Sequence, residues 1–480
     1  MNKYKFLAMN TIVFTIGSFG SKIISLMLNN LYTKNISPPE LFTKSMLETL
    51  SLFLVPVFTF SITESIIRFG LDKNYDKKTI FSTGAVLNFI GLLPMVLIVP
   101  FIPALPFFKS VRGYMLLLMI YITTSSIRAL CSQFVRAREM VKLFAFDGML
   151  TTFMLLIFNL LFISHFGMGV RGFMLSTILS DLFSACFLFI SARLKDFFSL
   201  KYFSREIAVY MLRFSIPLVP TIVMWTFTGF SDQIFIGNMH SKKVFIGEGA
   251  AGIYSAASKI PNLISMLSTI FMQAWNMSAI SENEAGDRNV FYEKVYSAYE
   301  SVLFIGAAGL ILFIKPVTAI LINYSVYPEY STAYRYTPLL IAAAVYTCLD
   351  LFLASIYTAT KHTKNAFLTI VFVSISNIFL NLLFIPIWGM HGAATATFLS
   401  YLLCFWIRIA DARRFVPFKF YAVKNIANTA LLLMMCAFTI FRPRFYIVLC
   451  LLTAAVITLI NFRPLLIMIK RLLFKKASDE

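Results

Sequence analysis

Apolar runs of about twenty residues recur from end to end of this chain, separated by short polar connections. A helix rises 1.5 Å per residue, so about twenty such residues cross the hydrocarbon core of a bilayer. Fourteen spans are expected, near 8–31, 43–67, 80–105, 112–135, 146–165, 172–192, 207–236, 250–280, 292–322, 334–360, 365–386, 391–412, 424–441 and 445–469. The first run is too long for the core of a signal peptide and has no small-residue cleavage site, so it is read as a span. No connection could house a soluble catalytic domain. The pattern predicts an all-α, polytopic membrane protein that is not an enzyme.

Polar residues interrupt some of these runs with helical spacing. In span 1, Thr11, Thr15, Ser18, Lys22, Ser25 and Asn29 recur at steps of three and four, which places them along one stripe. Span 7 repeats the pattern with Thr221, Trp225, Thr228 and Asp232. Span 8 does so with Ser255, Lys259, Asn262, Met266, Thr269, Gln273 and Asn276. An ammonium near mid-membrane costs roughly 2.5–3.5 kcal/mol on insertion scales, so Lys22 is expected to face a polar interior rather than lipid. Lys22 and Lys259 each lie about nine residues from the outer end of their spans, or ~13 Å deep at 1.5 Å per residue. Two cations at one depth suit an anionic cargo, with a phosphate as the obvious chemistry.

Composition sharpens the class. Of 480 residues, 59% are hydrophobic and 13% charged, and the mean hydropathy of +0.79 lies outside the soluble range. The net charge of +20 would suit a nucleic-acid binder, but Lys and Arg concentrate in the connections on the side that carries both termini. That is the positive-inside asymmetry, and it predicts cytoplasmic termini without a nucleic-acid partner. The six cysteines all fall in apolar segments without C-x-x-C spacing and read as small buried hydrophobes.

The chain also repeats itself. Asn159-Leu-Leu-Phe-Ile163 returns as Asn381-Leu-Leu-Phe-Ile385, and Gly167-Met168 returns as Gly389-Met390, both 222 residues on. Gly172 and Gly392, then Ser180 and Ser400, continue the register after a two-residue slip. The offset covers six spans, an even number, so the two copies share one orientation as a parallel repeat. The expected organisation is an N-terminal lobe at 1–192 and a cytoplasmic linker at 193–213 leading into span 7. A C-terminal lobe at 207–415 follows, then two extra helices with a tail at 416–480.

Further charges lie inside the spans. Arg128 and Asp350 occupy equivalent places in the two copies and are candidates for ligand contact or internal pairing. Asp181, Asp232 and Asp350 are candidates for ion coupling or charge pairing. Glu64 and Arg68, four apart with the acid first, predict a helical ion pair at the inner end of span 2, either an inner gate or an interfacial pair. Lys315 and Arg408 are near enough to helix ends to snorkel. The letters GMGVRG at Gly167–Gly172 match a dinucleotide fingerprint, but they join two membrane helices, which excludes that use. The histidines lack metal-ligand spacing. The tyrosines between Tyr324 and Tyr336 read as an interfacial aromatic belt.

A family resemblance rests on three stretches. Gly252-Ile-Tyr-Ser-Ala-Ala-Ser-Lys259-Ile260, preceded by Asp232, resembles the G-x-Y-x-x-A-x-K-I element of polysaccharide exporters. Asn381 to Thr397 resembles their N-x-x-L-I-P-x-x-G-x-x-G-A-A-x-A-T signature, and the opening through Leu31-Tyr32-Thr33 and Ser37-Pro38 is similar as well. These point to the polysaccharide exporters, with Wzx-type flippases, of the multidrug/oligosaccharidyl-lipid/polysaccharide (MOP) superfamily. The resemblance implies a two-lobed, MATE-like fold of fourteen helices. It implies a flippase that moves undecaprenyl-pyrophosphate-linked oligosaccharide across the cytoplasmic membrane of a bacterium by alternating access. Lys22, Lys259, Asn262, Gln273, Arg128 and Trp225 are the candidate substrate contacts. No cofactor is expected beyond coupling to the membrane potential, H+ or Na+. The implied partners are the lipid-linked oligosaccharide, membrane lipids, and the polymerase and glycosyltransferases of the same pathway. The alternatives are a multidrug or cation antiporter of the same superfamily and a peptidoglycan lipid-precursor flippase.

Overall fold

The computed structural model describes residues 20–281, 288–360 and 362–474. Within them the chain is helical, without strands. After α1 (20–35) come α2 (Pro38–Phe58), α3 (Ile62–Leu71), α4 (Lys77–Leu92), α5 (Met95–Ile98), α6 (Met115–Ala137), α7 (Val141–Asn159) and α8 (Gly169–Ser191). Then follow α9 (Arg205–Ser215), α10 (Val219–Asn238), α11 (Glu248–Ala257), α12 (Asn262–Ser281), α13 (Arg288–Leu312) and α14 (Ile314–Leu321). The series closes with α15 (Thr337–Ala359), α16 (Thr363–Trp388), α17 (Met390–Phe415), α18 (Ala422–Phe441) and α19 (Tyr446–Phe474). Eleven described helices are long and apolar enough to cross a membrane, which makes this a multi-pass membrane protein. They answer to expected spans 2–7 and 9–13. Span 14 appears as the shorter apolar stretch Tyr446–Phe462, and the first half of span 1 lies outside the described residues.

Expected spans 3, 7 and 9 each fall into consecutive helices, α4 and α5, α9 and α10, α13 and α14, and spans 2 and 8 carry sharper breaks. Span 2 divides at Thr59–Ser61, where Phe60 and Ser61 take left-handed φ values of 53° and 51°. Pro56 cannot donate a backbone hydrogen bond within α2, and Gly91 of α4 closes onto the break. A Cβ on Gly91 would lie 1.9 Å from the Phe58 carbonyl oxygen. Span 8 is two helices, because Pro261 has no N–H for the helical ladder. The backbone there tightens to three-residue bonds, Lys259 N to Ala256 O at 3.3 Å and Ile260 N to Ala257 O at 3.2 Å. The single stripe expected from Ser255 to Asn276 therefore does not run straight.

The described residues cluster into two compact units. The first extends to Asn238 and includes Gly247–Gly252 and Ser325–Tyr327. Its most buried span is α2. There α9 and α10 pack on first-unit helices. Ser65 Oγ of α3 donates to the Met211 carbonyl of α9 at 2.7 Å. Gly237 of α10 lies so close to Phe42 that a Cβ would fall 2.3 Å from its ring. The turn before α2 is a capping box, with Ser37 N donating to Glu40 Oε2 at 3.3 Å and Pro38 opening the helix. Gly252, the motif glycine, abuts that turn, and a Cβ there would sit 1.8 Å from the Pro38 carbonyl oxygen.

The second unit is built around α15, whose membrane-length window is 72% buried. Tyr296 of α13 meets the Phe352 ring edge-on at 5.5 Å, and Tyr299 stacks on it at 5.7 Å. Tyr299 satisfies its hydroxyl through Ser268 at 2.6 Å and the Cys348 carbonyl at 3.1 Å. The extra C-terminal helices are tied on by polar clamps. Asn428 of α18 and Asn461 of α19 exchange amide hydrogen bonds of 3.2 and 2.8 Å.

The internal repeat has a structural counterpart in the two units taken separately. Gly172 of α8 packs against the Phe162 carbonyl, with 3.0 Å to a hypothetical Cβ, and Gly392 of α17 packs against the Phe384 carbonyl, with 2.2 Å. In each copy the glycine lets a helix approach the backbone of the one before it.

Candidate charge sites in the membrane-spanning helices

In the first unit α6, α7 and α8 bring one guanidinium and two carboxyls together. Arg128 Nη1 lies 3.5 Å from Asp181 Oδ1, and its Nε donates to Ser184 Oγ at 3.2 Å. Ser184 Oγ in turn donates to Asp147 Oδ1 at 2.5 Å, and Ser125 Oγ donates to Asp181 Oδ2. Asp147 Oδ2 is buried without a hydrogen-bond partner among the described residues. The cluster thus holds one more carboxyl than cation, an arrangement that can take up a proton or a small cation. Arg128 and Asp181 were legible as intramembrane charges. Asp147, the second residue of span 5, was missed, although an acid at the start of an apolar run was signal enough.

The second unit inverts the polarity at repeat-related helices. Asp350 of α15 takes the place of Arg128, and Arg408 of α17 lies beside it. Arg408 Nη1 donates to the Asp350 carbonyl at 2.9 Å and Nε to Thr369 Oγ1 at 2.9 Å. Arg408 is 4% exposed, so it does not snorkel. Position near a helix end suggested the wrong outcome, because α16 and α15 supply the acceptors that water would otherwise provide. Neither carboxylate oxygen of Asp350 has a hydrogen-bond partner among the described residues.

The other candidates are scattered. Lys22 is half-buried on α1; among the described residues no carboxylate or other acceptor engages its ammonium. Its neighbour Ser21 donates to the Gly148 carbonyl of α7 at 3.1 Å, which seats α1 in the first unit. Thr11, Thr15 and Ser18 lie outside the described residues. Lys259 is half-buried at the break between α11 and α12, in the second unit. Asn262 opens α12 and is exposed, and the side chains of Gln273 and Asn276 lie outside the described part. On α10, Trp225 is exposed and Asp232 buried, so that stripe turns inward along its length. Glu64 and Arg68 are both exposed on α3, and the ion pair expected between them does not form. The break before α3 frees that helix end, and an exposed i, i+4 pair gains only about 0.3–0.5 kcal/mol.

Two ion pairs, each with one buried partner, were not singled out in the sequence. Lys44 of α2 meets Glu48 at 2.5 Å and lies over the rings of Tyr32 and Phe173 at 4.4 and 4.5 Å. Their i, i+4 spacing was readable. Glu300 of α13 and Lys424 of α18 lie 3.4 Å apart, and no local spacing links them.

No protein-family profile and no curated protein matches the sequence. Solved structures do. The lipid II flippase MurJ in an inward closed conformation matches 97% of this chain and all of its own, with a TM-score of 0.71 at 18% identity. An inward-facing multidrug resistance MATE transporter of the MOP superfamily matches 82% of this chain and 95% of its own, with a TM-score of 0.64 at 15% identity. An outward-facing one matches 85% and 94%, with a TM-score of 0.59 at 15% identity. The chain therefore has the membrane-transporter fold shared by MurJ and the MATE proteins.

Proposed function

We propose that this protein is a flippase that carries the phosphorylated head of a lipid-linked oligosaccharide, a surface-polysaccharide repeat unit, across the cytoplasmic membrane by alternating access. The observation that carries this reading is Lys22. Arg128, Lys44, Lys424 and Arg408 each have an acidic or carbonyl neighbour close at hand. Lys22 has none among the described residues, so its charge is available to an anion. A cationic drug would meet like charge there, which disfavours the multidrug reading. The match to a lipid II flippase along the whole chain supports a lipid-linked cargo. The family resemblance implies several arginines in spans 1 and 2 for a flippase of peptidoglycan precursor. This chain offers Lys22 and an exposed Arg68, which favours surface-glycan precursors.

An inside-negative potential drives an anionic head outward with ~2.3 kcal/mol per charge per 100 mV. The surplus carboxyl of the Arg128–Asp181–Asp147 cluster is the place where proton or sodium coupling would act. In the cell the protein would work beside the glycosyltransferases and polymerase of one glycan pathway, with both termini in the cytoplasm.

The test is a flipping assay in vesicles containing undecaprenyl-pyrophosphate glycan, run in parallel with lipid II. A hydrogen bond to a charged group is worth ~1.5–3 kcal/mol, so Lys22→Ala and Lys259→Ala should each slow transport at least about tenfold. Normal flipping by the double variant would remove the head-group site. Faster flipping of lipid II than of the glycan precursor would reverse the choice of cargo.

A further inference from the structure

At one end of the second unit, the start of α14, the turn before α15 and the α18–α19 connection bring three cations around two tyrosines. The Arg442 guanidinium carbon is 4.3 Å from the Tyr334 ring centre and 5.6 Å from that of Tyr446. Lys315 Nζ lies 6.0 and 5.7 Å from the same two centres. Arg335 Nε donates to the Tyr334 hydroxyl at 3.0 Å, and its guanidinium carbon is 5.9 Å from that ring. None of the three forms an ion pair among the described residues. The acid on the same turn, Glu329, is exposed.

Snorkelling and an aromatic belt account for Lys315 and for the tyrosines taken singly. They do not account for the convergence, because snorkelling carries like charges apart into water. Here all three lie within 6.0 Å of one ring centre. Arg442 Nε and Nη2 are buried with no hydrogen-bond partner among the described residues. Arg442 also sits at a left-handed φ of 51°, a conformation that non-glycine residues hold only when their surroundings impose it. The Tyr334 hydroxyl accepts from Arg335, which leaves its own proton free to donate.

We propose that Lys315, Arg335, Arg442 and the Tyr334 hydroxyl form a phosphate-binding site at the membrane–water boundary. Basic pockets between membrane helices bind phospholipid heads by this chemistry. The phosphate has two available sources: the head of an anionic phospholipid, or the pyrophosphate of a lipid-linked cargo leaving the protein. The second source rests on the function proposed above; the site itself does not.

The test is native mass spectrometry of the full-length protein in neutral detergent, with phosphatidylglycerol, farnesyl pyrophosphate or phosphatidylcholine added. Wild type should retain a phosphoryl probe in preference to phosphatidylcholine. Lys315→Gln and Arg335→Gln, both at exposed positions, should each weaken that binding about fivefold, and Lys315→Arg should preserve it. A loss confined to phosphatidylglycerol assigns the site to a phospholipid head, and one confined to the isoprenoid pyrophosphate assigns it to cargo. Either supports the site. Equal retention of all three lipids by wild type, or wild-type affinity for both phosphoryl probes in the Lys315→Gln/Arg335→Gln variant, would overturn it. Phosphatidylglycerol binding is measured without transport, so this outcome and that of the flipping assay fail separately.

Discussion

Lys424→Met should be among the most damaging single substitutions in the second unit. Glu300 is 2% exposed and faces two donors from α18, Lys424 Nζ at 3.4 Å and Asn425 Nδ2 at 2.7 Å. Asn425 Oδ1 accepts in turn from the Tyr346 hydroxyl at 3.1 Å, so the network ties α13 and α15 to the first extra helix. Methionine keeps the apolar stem of Lys424 but leaves Glu300 a buried, uncompensated charge, a loss of roughly 3–5 kcal/mol. Glu300→Gln still accepts from Asn425, and Lys424 keeps its 2.9 Å bond to Ser301 Oγ, so that change should cost about 1–2 kcal/mol. The double variant removes both charges and should recover to within about 1 kcal/mol of wild type. Thermal unfolding of the detergent-solubilised protein, followed by intrinsic fluorescence, should rank Lys424→Met lowest and the double variant near wild type. Additive losses in the double variant, or a wild-type midpoint for Lys424→Met, would refute the buried-charge reasoning.

Three further outcomes follow from close approaches and charge balance. Gly392→Ala should lower the unfolding midpoint more than Gly172→Ala, because the added Cβ meets a backbone carbonyl at 2.2 Å in one case and 3.0 Å in the other; equal shifts would contradict the repeat-specific packing. Gly252→Ala forces α11 away from the Pro38 carbonyl and should cost at least about 1–3 kcal/mol, read as reduced folded yield and midpoint. Arg128→Gln leaves Asp181 and Asp147 without a cation and should destabilise by roughly 3–5 kcal/mol; adding Asp181→Asn should restore much of this, and no restoration would show that the pair is not the unit that matters.

Much of the fold was readable because hydropathy is a local property. Eleven spans appear close to where apolar length put them, and the repeat flagged by Asn159 and Asn381 reappears as paired glycine contacts. The breaks were visible in part. Pro261 was signal enough for the division of span 8, which was read as one continuous span, whereas the left-handed residues Phe60 and Ser61 follow no sequence pattern and depend on Gly91 closing from another helix.

Charges were found more easily than their partners. Amino-acid type alone marked Lys22, Arg128, Asp181, Asp232 and Asp350 as expensive in a membrane. That Arg128 answers to Asp181, that Arg408 turns inward to the Asp350 carbonyl, and that Glu300 depends on Lys424 were settled by helix packing. The same packing left Glu64 and Arg68 apart despite ideal spacing. The sequence determined which groups had to escape lipid, because transfer cost belongs to the residue itself. Only the tertiary structure decided which of them are paired and with what, because a counter-charge is supplied by whichever helix lies within hydrogen-bond reach.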